Sequence, residues 1–154
     1  MLLAVDDPWA AYAETVVEIV RGDPGEHLVV RGAPAGEPGL WPWPDEESVS
    51  IITAWDPGAE RPSLAVNRAR QDALEAELRP LTRQLWPAVG RDPAGRREEG
   101  VVAVGLTVDE AVAAGARARQ DAIFVWTPTE WSIVACLGAR RVALGWTVTV
   151  HVPG

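Results

Sequence analysis

Between Ser50 and Leu74 the chain reads SIITAWDPGAERPSLAVNRARQDAL, and several residues with chemistry to offer crowd into it: Thr53, Asp56, Ser63, Asn67, Arg70 and Gln71. Asn67, Gln71, Leu74 and Leu78 recur at i, i+4, i+7 and i+11, so the two amides continue a helical stripe whose later members are leucines. Amides on a buried stripe need hydrogen-bond partners. Two sources fit: the backbone of the TAWDPG loop, or a ligand held where the strand ends and the helix begins. The helix N-terminus adds unpaired N–H groups and the positive end of the peptide dipole, which favour a carboxylate or phosphate, with Arg70 close enough to assist. Asp56 would act as a general acid or base there if burial displaced its pKa. Gln120 closes a second helix and directly precedes an apolar strand, so its side chain is expected near the same end of the sheet.

Elsewhere the chemistry is sparse. His27 and His151 lie far apart in the sequence and no carboxylate spacing completes a ligand set, so no metal is expected. Cys136 is the only cysteine and follows the apolar run WSIVA, where a thiol serves as a small hydrophobe. Without lysine, Schiff-base chemistry and the P-loop are excluded, and no nucleophile-elbow, HExxH or GxGxxG motif is present. No cofactor is expected. Fourteen basic against 22 acidic residues give a net charge of -8, a field that repels nucleic acid and anionic lipid. Nowhere do 18 apolar residues run together, and MLLAVDDPW lacks the basic start of a signal peptide, so a cytoplasmic protein is expected.

The elements that must position these residues follow from periodicity and punctuation. One domain over residues 1–154 suits the length and the 47% hydrophobic content. DDPWAAYAE predicts a short helix; TVVEIV and HLVVR, separated by the turn-rich RGDPGE, predict a hairpin over residues 15–31. GAPAGEPGLWPWPDEE, residues 32–48 with their flanks, predicts a Pro/Gly-rich surface loop. VSIITAW is a strand apolar on both faces, followed by a helix over 64–79 with Ser63 as N-cap and a break at Pro80. LWPAVGRDPAGRREEG reads as loop with one short edge strand, VVAVGL as a buried strand, and TVDE as a capping box opening the second helix. Its sheet-facing side would be Val108, Ala111, Val112 and Gly115. DAIFVW and WSIVAC form a second hairpin, and RVALGWTVTVHV a last strand. The resulting expectation is an α+β fold: a mainly antiparallel sheet with two main helices packed on one face, its β-α-β-β-α-β-like middle flanked by hairpins.

Trp41 and Trp43 alternate with prolines in the 32–48 loop, an arrangement that suits a lid, a protein contact or a fold back onto the core.

IITAWDPG, the spaced Ser63 and Asn67 with NRARQDALEAEL, PAVGRDP, EEGVVAVGL and ARQDAIF together resemble the bacterial domain-of-unknown-function family numbered 3293, over roughly residues 9–135. The resemblance implies a short single-domain bacterial protein and points to the same polar positions; it implies no activity. The family pattern has Asn-Pro where this chain has Asp56-Pro57, and tends to have serine near Gly100 and asparagine near Gln71. An aspartate in place of an amide removes a donor and adds charge, which would shift ligand preference.

Three functions follow as expectations. The first is binding of a small polar or anionic ligand, or a short peptide end, at the junction of strand 49–55 and helix 64–79, lined by Thr53, Asp56, Ser63, Asn67, Arg70 and Gln71 with Gln120 nearby. The second is an enzyme using Asp56 as acid or base, and the third a protein-interaction module using Trp41, Trp43 and a sheet edge. The partner would be a small molecule or a protein; oligomeric state is not legible in the sequence.

Overall fold

In the computed structural model, which describes residues 8–22, 24–36, 39–58 and 60–153, eight antiparallel strands close into a barrel. The strands are β1 (Val16–Arg21), β2 (Glu26–Ala33), β3 (Val49–Thr53), β4 (Gln84–Arg91), β5 (Arg97–Val104), β6 (Ala122–Trp126), β7 (Trp131–Ala135) and β8 (Arg141–His151). Around the barrel they run β1-β2-β8-β7-β6-β3-β5-β4, and β4 returns to β1 from Val16↔Arg91 to Ile19↔Ala88. Three helices accompany them: α1 (Pro8–Ala13), α2 (Leu64–Leu78) and α3 (Val108–Arg117), with one 3-10 turn at Arg79–Leu81 where Pro80 ends α2.

The barrel overturns the expected α+β sheet with two helices on one face. Antiparallel pairing and both hairpins are present, but the sheet has closed on itself and α2 and α3 lie on the outside of one wall. The strands of that wall are apolar on both faces for two reasons. Their inward residues, such as Val49, Ile51, Val102, Val104 and Trp126, fill the barrel, while Ile52, Val101, Ala103, Ile123 and Val125 pack under the helices. A doubly buried strand of an open sheet carries the same letters, so the run pattern does not reveal closure. β1, β2 and β8, which carry no helix, alternate instead, with Val17, Ile19, Leu28, Val30 and Trp146 inward.

β4 corrects a second expectation. Eight residues pair with β5 from Gln84↔Val104 to Arg91↔Arg97, where a loop with one short edge strand was expected. Pro87 and Gly90 argue against a strand in sequence. Pro87 is tolerated just beyond the stretch, Ala88–Arg91, that pairs with β1.

One end of the barrel is filled by indoles. Trp126 has ring centroids of Trp146, Trp41, Trp131 and Trp43 at 5.1, 5.3, 5.6 and 6.2 Å, all edge-to-face. Trp43 is buried and Trp41 half-buried, so the part of the expected loop around them folds back to floor the barrel, while Gly32 and Ala33, expected in that loop, end β2. Arg21 pins it there, stacking over the Trp43 ring at 4.6 Å and donating to the Pro42 carbonyl. On the outer wall, α3 begins with the expected capping box, Thr107 Oγ1 accepting from Glu110 N–H and Glu110 Oε1 from Thr107 N–H. Its buried face is Ala111, Ala114 and Gly115; Val108, expected inward, is exposed.

Candidate functional site: the open mouth of the barrel

The end opposite the indoles is open, and the loop leaving β3 forms part of its rim. That loop has no ladder partners for its backbone, and side chains supply them one by one. Gln71 Oε1 accepts from Ala54 N–H at 2.8 Å and Thr53 Oγ1 from Trp55 N–H at 3.0 Å. Asn67 clasps Asp56 reciprocally: its Oδ1 accepts from Asp56 N–H at 3.1 Å while its Nδ2 donates to Asp56 Oδ1 at 2.9 Å. Gln120 Nε2 donates to Trp55 O at 3.1 Å. Asn67 and Gln71 are both buried and both look inward at the TAWDPG loop. The clasp holds Asp56 in a left-handed conformation, φ 43°, that a residue with a side chain adopts at a cost.

Behind this rim a cavity of about 190 Å³ enters the barrel. Its floor is apolar, with Val17, Ile51, Phe124 and Ile133. Small residues on β4 and β5 leave the space: Ala88, Gly90 and Gly100 face it where larger side chains would fill it. Gly100 has a further reason to lack a side chain, since a Cβ there would lie 2.8 Å from Ile52 O. The polar lining comes from every side of the mouth: Thr53, Asp56, Glu98 and Gln120, then Tyr12 on α1 and Asp121 before β6. Asp92 and Arg96 join them from the β4–β5 turn, bonded to each other at 3.1 Å, and Arg61 from the segment ahead of α2.

Glu98 makes no hydrogen bond or ion pair with the described residues. Burial, reinforced by Asp56 and Asp92 and opposed by Arg61, pushes its carboxyl up to about 7. Tyr12 donates to Asp121 Oδ2 at 3.5 Å, and burial followed by the Asp121 charge pushes its phenol up, so it stays a protonated donor. Burial first and Asp121 second push the Cys136 thiol up to about 11, an unreactive state at neutral pH.

Of the residues singled out in sequence, Thr53, Asp56 and Gln120 line this cavity. The others stand elsewhere. Ser63 caps α2 by accepting from Val66 N–H at 3.2 Å, Asn67 and Gln71 hold the loop from behind, and Arg70 pairs with Glu60 at 3.3 Å beside a groove between α2 and the end of α3. Glu60 also bonds Arg119, which takes the left-handed position closing α3, φ 62°, where glycine is usual. Gln120 is the next residue, its N–H returning to Gly115 O at 3.0 Å. The sequence reading missed Glu98, Tyr12 and Asp92, and gave Asp121, beside Gln120, no place in the site. Glu98 stands in a polar stretch, and only the β4–β5 register, Gly90↔Glu98, places it inside the mouth. His27 and His151, far apart in sequence, face each other across β2 and β8, both exposed. Among the described residues no group of three or more His, Cys, Asp or Glu is arranged to hold a metal ion.

Neither tryptophan of the 32–48 loop offers the exposed surface that the interaction module needs, and among the described strands closure leaves only short unpaired stretches of edge. Among the described residues no helix is long and apolar enough to cross a membrane.

No curated protein and no solved structure matches the chain. The match to a family is shorter than the sequence resemblance suggested and spans just under half of the chain, from the end of β3 to the start of β6, carrying Thr53, Asp56, Glu98 and Gln120 of the mouth but not Tyr12 or Ile133. Through residues 52–123 the chain matches the family described as Protein of unknown function (DUF3293), the family it resembles in sequence.

Proposed function

We propose that the protein binds a small polar molecule in the open mouth of its barrel. The carrying observation is the 190 Å³ cavity with an apolar floor and a polar rim, built on rigid strands. Eight-stranded barrels have interiors either filled by side chains or just wide enough for one small ligand. This chain divides the two solutions between its ends: indoles fill one, and Ala88, Gly90 and Gly100 leave room at the other. The proposal moves the expected ligand from the helix N-terminus into the barrel, keeping Thr53, Asp56 and Gln120 as contacts. It suits a cytoplasmic protein of bacterial type, with one buried, unreactive thiol.

A second reading is favoured by one observation, the raised carboxyl of Glu98 facing the cavity. A carboxyl near 7 exchanges a proton at neutral pH and would serve as general acid or base, a role better supported at Glu98 than at Asp56, whose Oδ1 is occupied by Asn67.

Native mass spectrometry of the full chain purified from host cells tests the binding reading, with Ala88→Leu as control. The leucine fills the cavity from a strand position that pairs with Ile19 and Gly100. The wild type is expected to carry a small bound mass that the folded Ala88→Leu protein lacks. Equal loading of both proteins, or none in either, would overturn the reading.

A further inference from the structure

We infer that the mouth cavity selects a small organic amine, its ammonium group seated against Glu98 and a ring-sized apolar body resting on Ile51, Phe124 and Ile133. The inference rests on the binding reading above and adds the charge and size of the ligand.

Acidic groups outnumber basic ones in the lining. The two basic side chains, Arg61 and Arg96, are exposed, as is the Asp121 carboxylate, whereas Asp56, Asp92 and Glu98 are half-buried. Asp92 spends both oxygens on Arg96, through its N–H at 2.9 Å and its Nε at 3.1 Å, and Asp56 Oδ1 is taken by Asn67. Among the described carboxyl groups of the lining, Glu98 alone has neither oxygen in a hydrogen bond or ion pair, whereas Asp121 gives Oδ2 to Tyr12. An ammonium ion brings three donors and the opposite charge to that position, whereas a carboxylate or phosphate would meet Glu98 and Asp56 as like charges. The charged and titratable groups facing Glu98 are Asp56 beyond β3, Arg61 ahead of α2, Asp92 and Arg96 in the β4–β5 turn, Tyr12 on α1 and Asp121 ahead of β6. The site is proton-linked: burial, Asp56 and Asp92, opposed by Arg61, lift Glu98 to about 7, so an incoming ammonium displaces a proton below that pH. Size follows from volume. An apolar cavity of roughly 150 Å³ holds one benzene ring, so about 190 Å³ holds a ring with a short arm.

Isothermal titration of the full chain with phenethylamine, phenethyl alcohol and phenylpropionate tests the inference, because the three differ little except in head-group charge. Phenethylamine is expected to bind about tenfold or more tightly than the alcohol, the gain of a charge-assisted hydrogen bond, and phenylpropionate most weakly. Near pH 6 its binding heat should vary with the ionisation enthalpy of the buffer as a proton leaves Glu98, and near pH 9 it should not. Glu98→Gln should remove the preference for the amine and the buffer dependence together. Alcohol or carboxylate binding as tightly as the amine to the wild type overturns the amine assignment and leaves the cavity reading standing. No binding of any of the three overturns the amine assignment too, and the native mass spectrum then decides the cavity reading.

Discussion

Asn67 shows how much one buried amide can hold. It satisfies the Asp56 N–H and one carboxylate oxygen at once, within a loop that has no strand partner. Asn67→Ala should therefore cost about 1–3 kcal/mol, the penalty for stranding a buried donor, seen as a lower urea midpoint at unchanged slope. Glu98 has the opposite effect on stability. Its folded-state pKa of about 7 lies above the value of about 4.3 usual for an unfolded chain, so between those values the folded state binds the extra proton and stability falls as pH rises. Above about 7 both states are ionised and the penalty is complete. Glu98→Gln should thus stabilise the protein by about 1–3 kcal/mol near pH 8 and by nothing near pH 4, read from thermal unfolding across that range. The two residues differ in legibility. Asn67 was conspicuous because an amide interrupted a leucine stripe, a local signal; Glu98 carried none, being one acidic residue in RREEG until strand pairing turned it inward.

At the scale of elements, the packing of α3 on the barrel depends on Gly115. A Cβ there would lie 2.6 Å from Cys136 Sγ and 2.7 Å from Ile123 Cγ2. Helix propensity favours alanine over glycine by about 1 kcal/mol, but forcing a methyl into a filled contact costs typically 1–3 kcal/mol, so the clash should win. Gly115→Ala is expected to lower stability, and adding Cys136→Ala should recover part of the loss, a coupling that a double-mutant cycle would measure. The boundaries of α2 and α3 and both hairpins were readable because caps, turn residues and periodicity act within a few residues: Ser63 bonds Val66 N–H, and Thr107 and Glu110 bond each other's backbone. β4 was not readable, since Pro87 and Gly90 are poor strand formers retained by pairing with β5 and β1. Tertiary context overrode local preference there.

For the whole molecule, the largest fully buried side chains, Trp126, Trp131 and Trp146, gather at the indole end. Trp126→Ala should cost about 3–5 kcal/mol in denaturant unfolding, more than any change at the mouth. Closure also sets the folding time. The β2–β8 ladder joins His27 to His151 and Ala33 to Gly145, near opposite ends of the chain, and such non-local pairing predicts stopped-flow refolding on the order of milliseconds to seconds. Closure pairs every described strand on both sides over at least part of its length, and the open stretch Gln84–Pro87 of β4 contains a proline, so β-augmentation is disfavoured. Strand and helix identity outside β4, the caps, the lack of lysine and the net charge of -8 all follow from residue types and short-range spacing. Closure of the sheet, the two-sided burial of its helix-covered wall, and the meeting of Tyr12, Asp56, Glu98 and Gln120 around one cavity do not. Those depend on which distant strands pair and in what register, and an inward residue of a closed barrel looks, in sequence, the same as one on the buried face of an open sheet.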